Sequence, residues 1–371
     1  MKLIVLKTNL KEGLSAVEKA IGDGSAKLPI LKNVLLKAQG NKIKLTTTNL
    51  ELGIEKIVSA KIIKDGGITI PLSTFHNLVS NSDNEKINLE VKDDNLTFKT
   101  DNYEAKIQGI KEEEFPIMPK IDNKDSFIEI KSEIFKEYLN RVVNAAQVSE
   151  IRPEISGVLL DFQITLLKLA ATDSFRLAEA TIIDKYFKSN FKQGFKITIP
   201  LKTVQEVLRI FPDDQYIKIG IDPNQILFAS DGLELISRLI DGNYPDYDQI
   251  IPQDFDTELN IKKDSLVGAI KLVSNFSGKI NDIKLRFADD SKNLEIYSAN
   301  SQLGENNYFI PAKMTGVGFE DVSFNWRYLL DGLKTTNSEN VIFGLNGDNR
   351  PAIIKSTSDN SYFYILMPIK V

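Results

Sequence analysis

The sequence predicts an α+β fold made of three tandem copies of one domain, each with two helices laid on antiparallel sheets. Three observations carry that prediction. First, Ile68-Thr69-Ile70-Pro71-Leu72-Ser73-Thr74-Phe75 recurs as Ile197-Thr198-Ile199-Pro200-Leu201-Lys202-Thr203-Val204 and, more faintly, as Val322-Ser323-Phe324-Asn325-Trp326-Arg327-Tyr328-Leu329. A period of about 125 residues is too long for a solenoid unit and fits a whole domain. Second, other landmarks recur in the same order: Val34-Leu35-Leu36 before Thr48-Asn49-Leu50, then Val158-Leu159-Leu160 before Thr172-Asp173-Ser174, then Leu285-Arg286-Phe287 before Ala299-Asn300-Ser301. Third, most segments between these landmarks alternate apolar and polar residues with the period of a half-buried strand.

Within each copy the elements follow one order. A short strand leads into an amphipathic helix, expected over 8–21, 132–147 and 263–275. Thr8 and Ser132 are the expected N-caps, because a short side-chain oxygen can accept from the free amides of a first turn. Strands follow, as in Asn41-Lys42-Ile43-Lys44-Leu45-Thr46. The repeated motif then ends a strand and starts a second helix, expected over 72–81, 201–209 and 326–334, with Pro71 or Pro200 at a first-turn position that needs no N–H. More alternating strands complete the copy, among them Lys86-Ile87-Asn88-Leu89-Glu90-Val91 and Tyr216-Ile217-Lys218-Ile219-Gly220-Ile221. Turns such as Asp93-Asp94-Asn95 and Asp222-Pro223-Asn224 make them antiparallel hairpins. Phe115-Pro116 and Tyr244-Pro245 close the first two copies. Short polar linkers near Lys120 to Asp125 and Gln253 to Asp256 place the domains at 1–121, 125–252 and 256–371.

Composition narrows the function. The 371 residues are 42% hydrophobic and 26% charged, ordinary globular material with room for a core in each copy. With no cysteine, disulfides, thiolate metal sites and thiol nucleophiles are excluded, and a cytosolic setting is expected. Four apolar residues in a row, Leu3 to Leu6, are too few for a signal-peptide core or a membrane span, and no later segment is long enough. Net charge is -5, yet the six expected helices together carry +3 and the remainder -8. That is the sign expected of helices that face phosphate.

Catalytic signatures are sparse. The single histidine, His76, falls in an expected helix, where a packing or surface role is the simpler reading. No zincin, phosphate-loop or serine-hydrolase motif occurs. Carboxylates such as Asp173 with Asp161 offer ligands for magnesium, although a capping or turn role is the simpler reading of Asp173. No catalytic residue, metal or cofactor is expected.

Taken together, Leu28-Pro29-Ile30-Leu31, Ala171-Thr172-Asp173-Ser174-Phe175-Arg176-Leu177-Ala178, Asp241-Gly242-Asn243-Tyr244-Pro245-Asp246-Tyr247 and Met367-Pro368-Ile369-Lys370-Val371 make the chain resemble, along its whole length, the bacterial DNA polymerase sliding clamp family. The resemblance implies a head-to-tail dimer closed into a pseudo-sixfold ring around duplex DNA, without catalysis. Twelve helices at about 10 Å each give a lining with a helix-axis diameter near 38 Å, wide enough for DNA and water. It also implies docking of the replicative polymerase, the clamp loader, and repair and translesion polymerases through a short linear peptide. The matching pocket positions are Ile155, Thr172, Ser174, Phe175, Arg176, Leu177, Pro245, Gln249, Ile250, Asn325, Tyr328, Ile365, Met367, Pro368 and Ile369. Aliphatic walls with a methionine give an adaptable slot, and Thr172, Asn325 and Arg176 offer polar anchors at its rim. Candidate DNA contacts are Arg152, Lys202, Lys136, Lys263 and Arg209. Candidate dimer contacts are Tyr103, Ala105 and Ile107 on one side and Leu272 and Val273 on the other. Two departures from the family stand out: Ser25-Ala26-Lys27 where an arginine is common, and Ser174-Phe175 where some members have a smaller residue and a histidine. The sequence leaves two other classes open, a nucleic-acid enzyme that uses a carboxylate pair and magnesium, and a monomeric interaction scaffold.

Overall fold

Apolar residues spaced three and four apart form the helices: α1 (Lys7–Val17), α2 (Leu72–Asn81), α3 (Ser132–Val142), α4 (Leu201–Ile210), α5 (Lys263–Val273) and α6 (Trp326–Thr335). The computed structural model describes residues 1–22, 28–121, 125–287, 292–319 and 321–370. Ser25-Ala26-Lys27, part of the first linker and Val371 lie outside the described residues. Helix α1 buries Leu10, Gly13, Leu14 and Val17, and α5 buries Leu266, Ala269, Ile270 and Val273. Each such aliphatic side chain contributes about 1.5–3 kcal/mol on burial. Gly13 lets α1 approach the sheet closely, since a Cβ there would stand 2.5 Å from the Val58 side chain.

The helix starts differ from the sequence reading. Thr8 lies inside the first turn of α1, with Leu6 at the cap position. Its N–H and hydroxyl both donate to the Glu85 carboxylate, at 3.2 and 2.7 Å, and the Lys7 N–H donates to the Glu85 carbonyl. Ser132 likewise opens α3, donating its N–H to the Gln215 carbonyl. The chain passes from strand to helix without a break, so a neighbouring segment supplies the acceptors that a cap would otherwise provide. Pro71 and Pro200 end the strands before α2 and α4, paired with Asn33 and Gly157.

The chain forms two compact units. The first comprises Met1–Glu133, Phe187–Phe191 and Gln205–Leu239; the second comprises Ile134–Tyr186, Lys192–Val204 and Ile240–Val371. The second sequence copy is therefore shared between them. Six strands form the joints and free edges of these units: β1 (Leu52–Lys64), β2 (Glu104–Gln108), β3 (Arg176–Ile183), β4 (Leu233–Arg238), β5 (Gly304–Gly316) and β6 (Tyr362–Leu366).

In the first unit, β1 pairs with Lys42–Thr48, then with Lys2–Leu6 along its far half. The near half of β1 pairs antiparallel with β4, Leu52 opposite Ser237 and Ile54 opposite Leu235. First and second copies are thereby joined in one continuous sheet, which ends at β2. The second unit repeats the arrangement: β3 pairs with Leu166–Thr172 and, along its near half, with β6, Arg176 opposite Leu366 and Ala178 opposite Tyr364. In the third copy, β5 pairs with Asn293–Asn300 and then with Thr257–Lys262. Among the described residues no strand pairs with the outer edge of its near half.

Candidate functional site

All the pocket candidates fall in the second unit, around the tight turn between Leu166–Thr172 and β3. Thr172 donates its hydroxyl to the Arg176 carbonyl at 2.6 Å and accepts from the Ser174 N–H at 3.1 Å. One oxygen of Asp173 accepts from the N–H groups of Phe175 and Arg176, at 2.9 and 3.0 Å. This side-chain mimic of a turn leaves Ser174 in the left-handed region at φ 76°, and turns Phe175 out to 62% exposure. Arg176 points the other way. Its guanidinium donates to Asp173 at 2.9 Å and to Asp331 at 2.6 Å, and lies 4.2 Å from the centre of the Tyr328 ring. Burial opposes the cation, but Tyr364, Asp173 and Asp331 outweigh it and the Arg176 pKa moves up. Burial, with the Asp173 charge, also raises the Tyr328 phenol above its ordinary value.

The last residues are laced over this turn. The Met367 N–H donates to the Phe175 carbonyl at 2.8 Å, and the Ile369 N–H donates to the Ser323 carbonyl at 2.7 Å. Met367, Pro368 and Ile369 are half-buried, presenting an adaptable apolar surface beside Phe175. Beneath lie Leu177 and Ile365, directly opposite one another across β3 and β6 and each at most 2% exposed. They form one cluster with Leu159, Ala170, Tyr247 and Ile353. Ile155 is also core, at 2%. These three residues shape the floor and offer little surface themselves. Pro245 is half-buried, whereas Gln249 and Ile250 are exposed on the segment that Tyr247 anchors. The Tyr247 hydroxyl donates to Glu179 at 2.6 Å, and burial, then the Glu179 charge, push its pKa up. Asn325 is committed differently from its expected rim role: its side chain accepts from the Arg327 N–H at 2.9 Å and caps α6.

Family models of the DNA polymerase III beta subunit match the chain in three consecutive stretches, the N-terminal domain over residues 1–119, the central domain over 129–246 and the C-terminal domain over 248–370. The chain belongs to the DNA polymerase III beta subunit family. The beta sliding clamp of Synechococcus elongatus is 28% identical over 378 residues, covering all of both chains, and that of Bacillus subtilis is 27% identical over 382 residues with the same coverage. The crystal structure of the Bacillus subtilis DNA polymerase sliding clamp superposes with a TM-score of 0.94 at 26% identity, covering 100% of this chain and 99% of the other.

Within this beta-subunit fold the other candidates scatter. Arg152 stands at the pocket turn, donating to the Ser174 hydroxyl and to Glu154, each at 3.1 Å. Arg209 donates to the Ser15 and Ala16 carbonyls in the last turn of α1, at 2.6 and 3.0 Å, and pairs with Glu206. Lys263 donates its ammonium to the Thr336 carbonyl at the end of α6. Both cations serve helix C-termini, whose carbonyls lack partners of their own. Lys202 is exposed on α4 and Lys136 half-buried on α3. Of the dimer candidates, Tyr103 and Leu272 are 49% and 55% exposed and Ala105 is half-buried. Val273, at 1%, and Ile107, at 6%, pack into their own core, so the structure removes both from the surface.

Asp173 is consumed by its turn and by Arg176, and Asp161 pairs with Lys196 at 3.4 Å. Among the described residues no group of three His, Cys, Asp or Glu side chains is placed to hold a metal, and no helix is long and apolar enough to cross a membrane. Sequence reasoning missed Asp331, whose position in α6 carries no motif, and the Tyr247–Glu179 pair, whose members are 68 residues apart.

Proposed function

We propose that the chain acts as a non-catalytic DNA sliding clamp: two copies close head to tail around duplex DNA, without reading sequence, and tether the replicative polymerase. In this reading it works in the cytoplasm through three clamp domains near 1–121, 125–252 and 256–371. The pocket around Thr172, Phe175, Tyr328 and Met367 receives a short linear peptide of the polymerase, the clamp loader or a repair or translesion polymerase. Arg152 belongs to that pocket's rim, and Lys202 and Lys136 remain the DNA-contact candidates.

One observation supports closure most directly. The joints within the chain, β4 on β1 and β6 on β3, leave β2 and the near half of β5 as the unmatched members of the same two sets. Isolated bridges Thr69 to Ile110, Thr198 to Ile240 and Ser323 to Ile369 align the copies, placing Ala105 where Leu235 and Tyr364 stand. Ala312 pairs with Ile261 as Ala60 pairs with Val5, which places Asn306 where Ile54 stands. Carrying the internal register across sets Ala105 opposite Asn306 of a second copy, Lys106 opposite Glu305, and Tyr103 opposite Tyr308. Opposite charges and two exposed tyrosines, 49% and 43%, then meet on strands that would otherwise offer open edges.

Sedimentation equilibrium tests this. The chain should run as a dimer at micromolar concentration. Lys106→Glu should shift it toward monomer by setting like charges opposite, and Lys106→Glu with Glu305→Lys should restore the dimer. A monomeric parent, or a charge swap that restores nothing, would overturn the register.

A further inference from the structure

The two internal joints differ in how the linker fills the sheet face beside them. In the second unit, three aromatic side chains close that face. Tyr247 lies in the buried cluster, with Phe255 and Phe363 packed against it. Phe255 sits over Gly344, where an added Cβ would stand 2.5 Å from its ring. The first unit keeps the framework but has no ring at any of these three positions; its one aromatic neighbour in the lining of the resulting cavity, Phe127, lies 5.2 Å from the Lys218 ammonium. Glu55 pairs with Lys44 at 3.0 Å, as Glu179 pairs with Lys168 at 3.5 Å. Opposite Glu55 stands Glu234, where Phe363 stands opposite Glu179. Met118, two residues after Pro116, takes the place of Tyr247, two residues after Pro245. Ser126, two residues before the strand Ile128–Lys131, takes that of Phe255, two before Thr257–Lys262.

Met118 does not refill the space. Its Cε lies 1.9 Å from where a Cβ on Gly53 would be, in the notch that Leu177 occupies in the second unit, so the side chain is drawn off the centre of the groove. What remains is a cavity of about 530 Å³, wholly within the first unit, whose lining includes Leu227, Ile236, Met118 and Ile121, the Phe127 ring, the carboxylates of Glu55 and Glu234 and the ammonium groups of Lys44, Lys120 and Lys218. That volume lies in the usual range for small-molecule sites, about 300–1,000 Å³. An apolar floor against water forfeits dispersion contacts that an aryl ring would restore.

We infer that this cavity is a binding site for a small phenolic molecule. The second unit supplies the template: a phenol ring on the same sheet face, its hydroxyl donating to a glutamate at 2.6 Å. In the first unit the ring would lie on Leu227 and Ile236; Glu55 is the counterpart of Glu179, but Glu234, which stands directly opposite it in place of Phe363 and forms no ion pair among the described residues, is the acceptor left open to the hydroxyl. Glu55 is the second acceptor within the cavity, already engaged by Lys44 and by the Thr46 hydroxyl at 3.3 Å. Lys44, Lys120 and Lys218 line the cavity beside the two carboxylates, and a neutral phenol meets groups of both signs without adding a charge of its own. The inference is independent of DNA binding and of ring closure.

The test is calorimetric titration of the full-length protein with p-cresol and with toluene. p-Cresol should bind saturably, and toluene at least about tenfold more weakly, the loss expected for a hydrogen bond to a charged acceptor. Met118→Tyr and Ser126→Phe each restore a ring the second unit already accommodates and should abolish p-cresol binding. Glu234→Gln changes an exposed side chain at constant shape, leaves folding intact, and should weaken p-cresol about tenfold. Absence of saturable binding to the parent protein would overturn the site. Equal affinity for toluene and p-cresol, or p-cresol binding untouched by Glu234→Gln, would overturn phenolic recognition.

Discussion

Removing the Asp173 carboxylate should be among the most damaging changes open to the second unit. The Asp173 side chain is 2% exposed and that of Arg176 10%, so Asp173→Ala strands a cation that water cannot reach well. Truncating one partner of a buried pair costs about 3–5 kcal/mol. Arg176 retains Asp331 at 2.6 Å, which favours the lower end, while the two turn N–H groups lose their acceptor, which favours the upper. Arg176→Met leaves Asp173 uncompensated and removes the stacking on Tyr328, about 0.5–2 kcal/mol. The two losses overlap, so the double variant should fall short of their sum by about 1–3 kcal/mol. The assay is urea unfolding followed by fluorescence of Trp326, the single tryptophan, whose indole N–H donates to the Ser277 hydroxyl at 3.0 Å within the same unit. An Asp173→Ala effect within about 0.5 kcal/mol of the parent, the range of an ordinary surface change, would refute the reasoning. Additive single effects would refute the coupling.

Three further outcomes are expected. Burial pushes the Asp359 carboxyl up, but hydrogen bonds from Ser361 and the Arg141 guanidinium at 2.9 Å win and hold it below the usual carboxylate range. Because its folded pKa is depressed, the stabilisation is full above about pH 4 and is lost as pH falls further; Asp359→Asn should flatten the acid limb of stability against pH in that window. Asn325→Ala should lower the stability reported by Trp326 by about 1 kcal/mol, and Asn325→Asp should restore it, if the cap on α6 is its main role. Phe175→Ala should leave the urea midpoint unchanged, as the ring is 62% exposed, while weakening a fluorescent clamp-binding peptide about tenfold in anisotropy titrations.

The helices and strands were legible in the sequence because burial imposes its own period. The expected helix over 72–81 coincides with α2, and Lys86-Ile87-Asn88-Leu89-Glu90-Val91 lies in the strand Lys86–Lys92. What could not be read locally depends on distant groups. The amides of α1 are served by Glu85, and the carbonyls at its other end by Arg209, 194 residues from Ser15. Arg209 and Lys263 look like solvated cations in the sequence because nothing nearby shows which carbonyls they reach. The pocket turn was legible as a motif, since Thr172 and Asp173 act on residues two to four positions away. The proposed dimer register has no local signal either, because it is drawn by analogy from the two joints within the chain, whose paired strands are far apart in sequence.

Topological retention on DNA tests the central claim most directly. The chain, loaded onto nicked circular DNA by a bacterial clamp loader, should remain bound through gel filtration at salt that strips ordinary phosphate contacts, and should be released when the circle is cut once. Equal persistence on circular and linear DNA, or no retention on the circle, would contradict a ring held by enclosure.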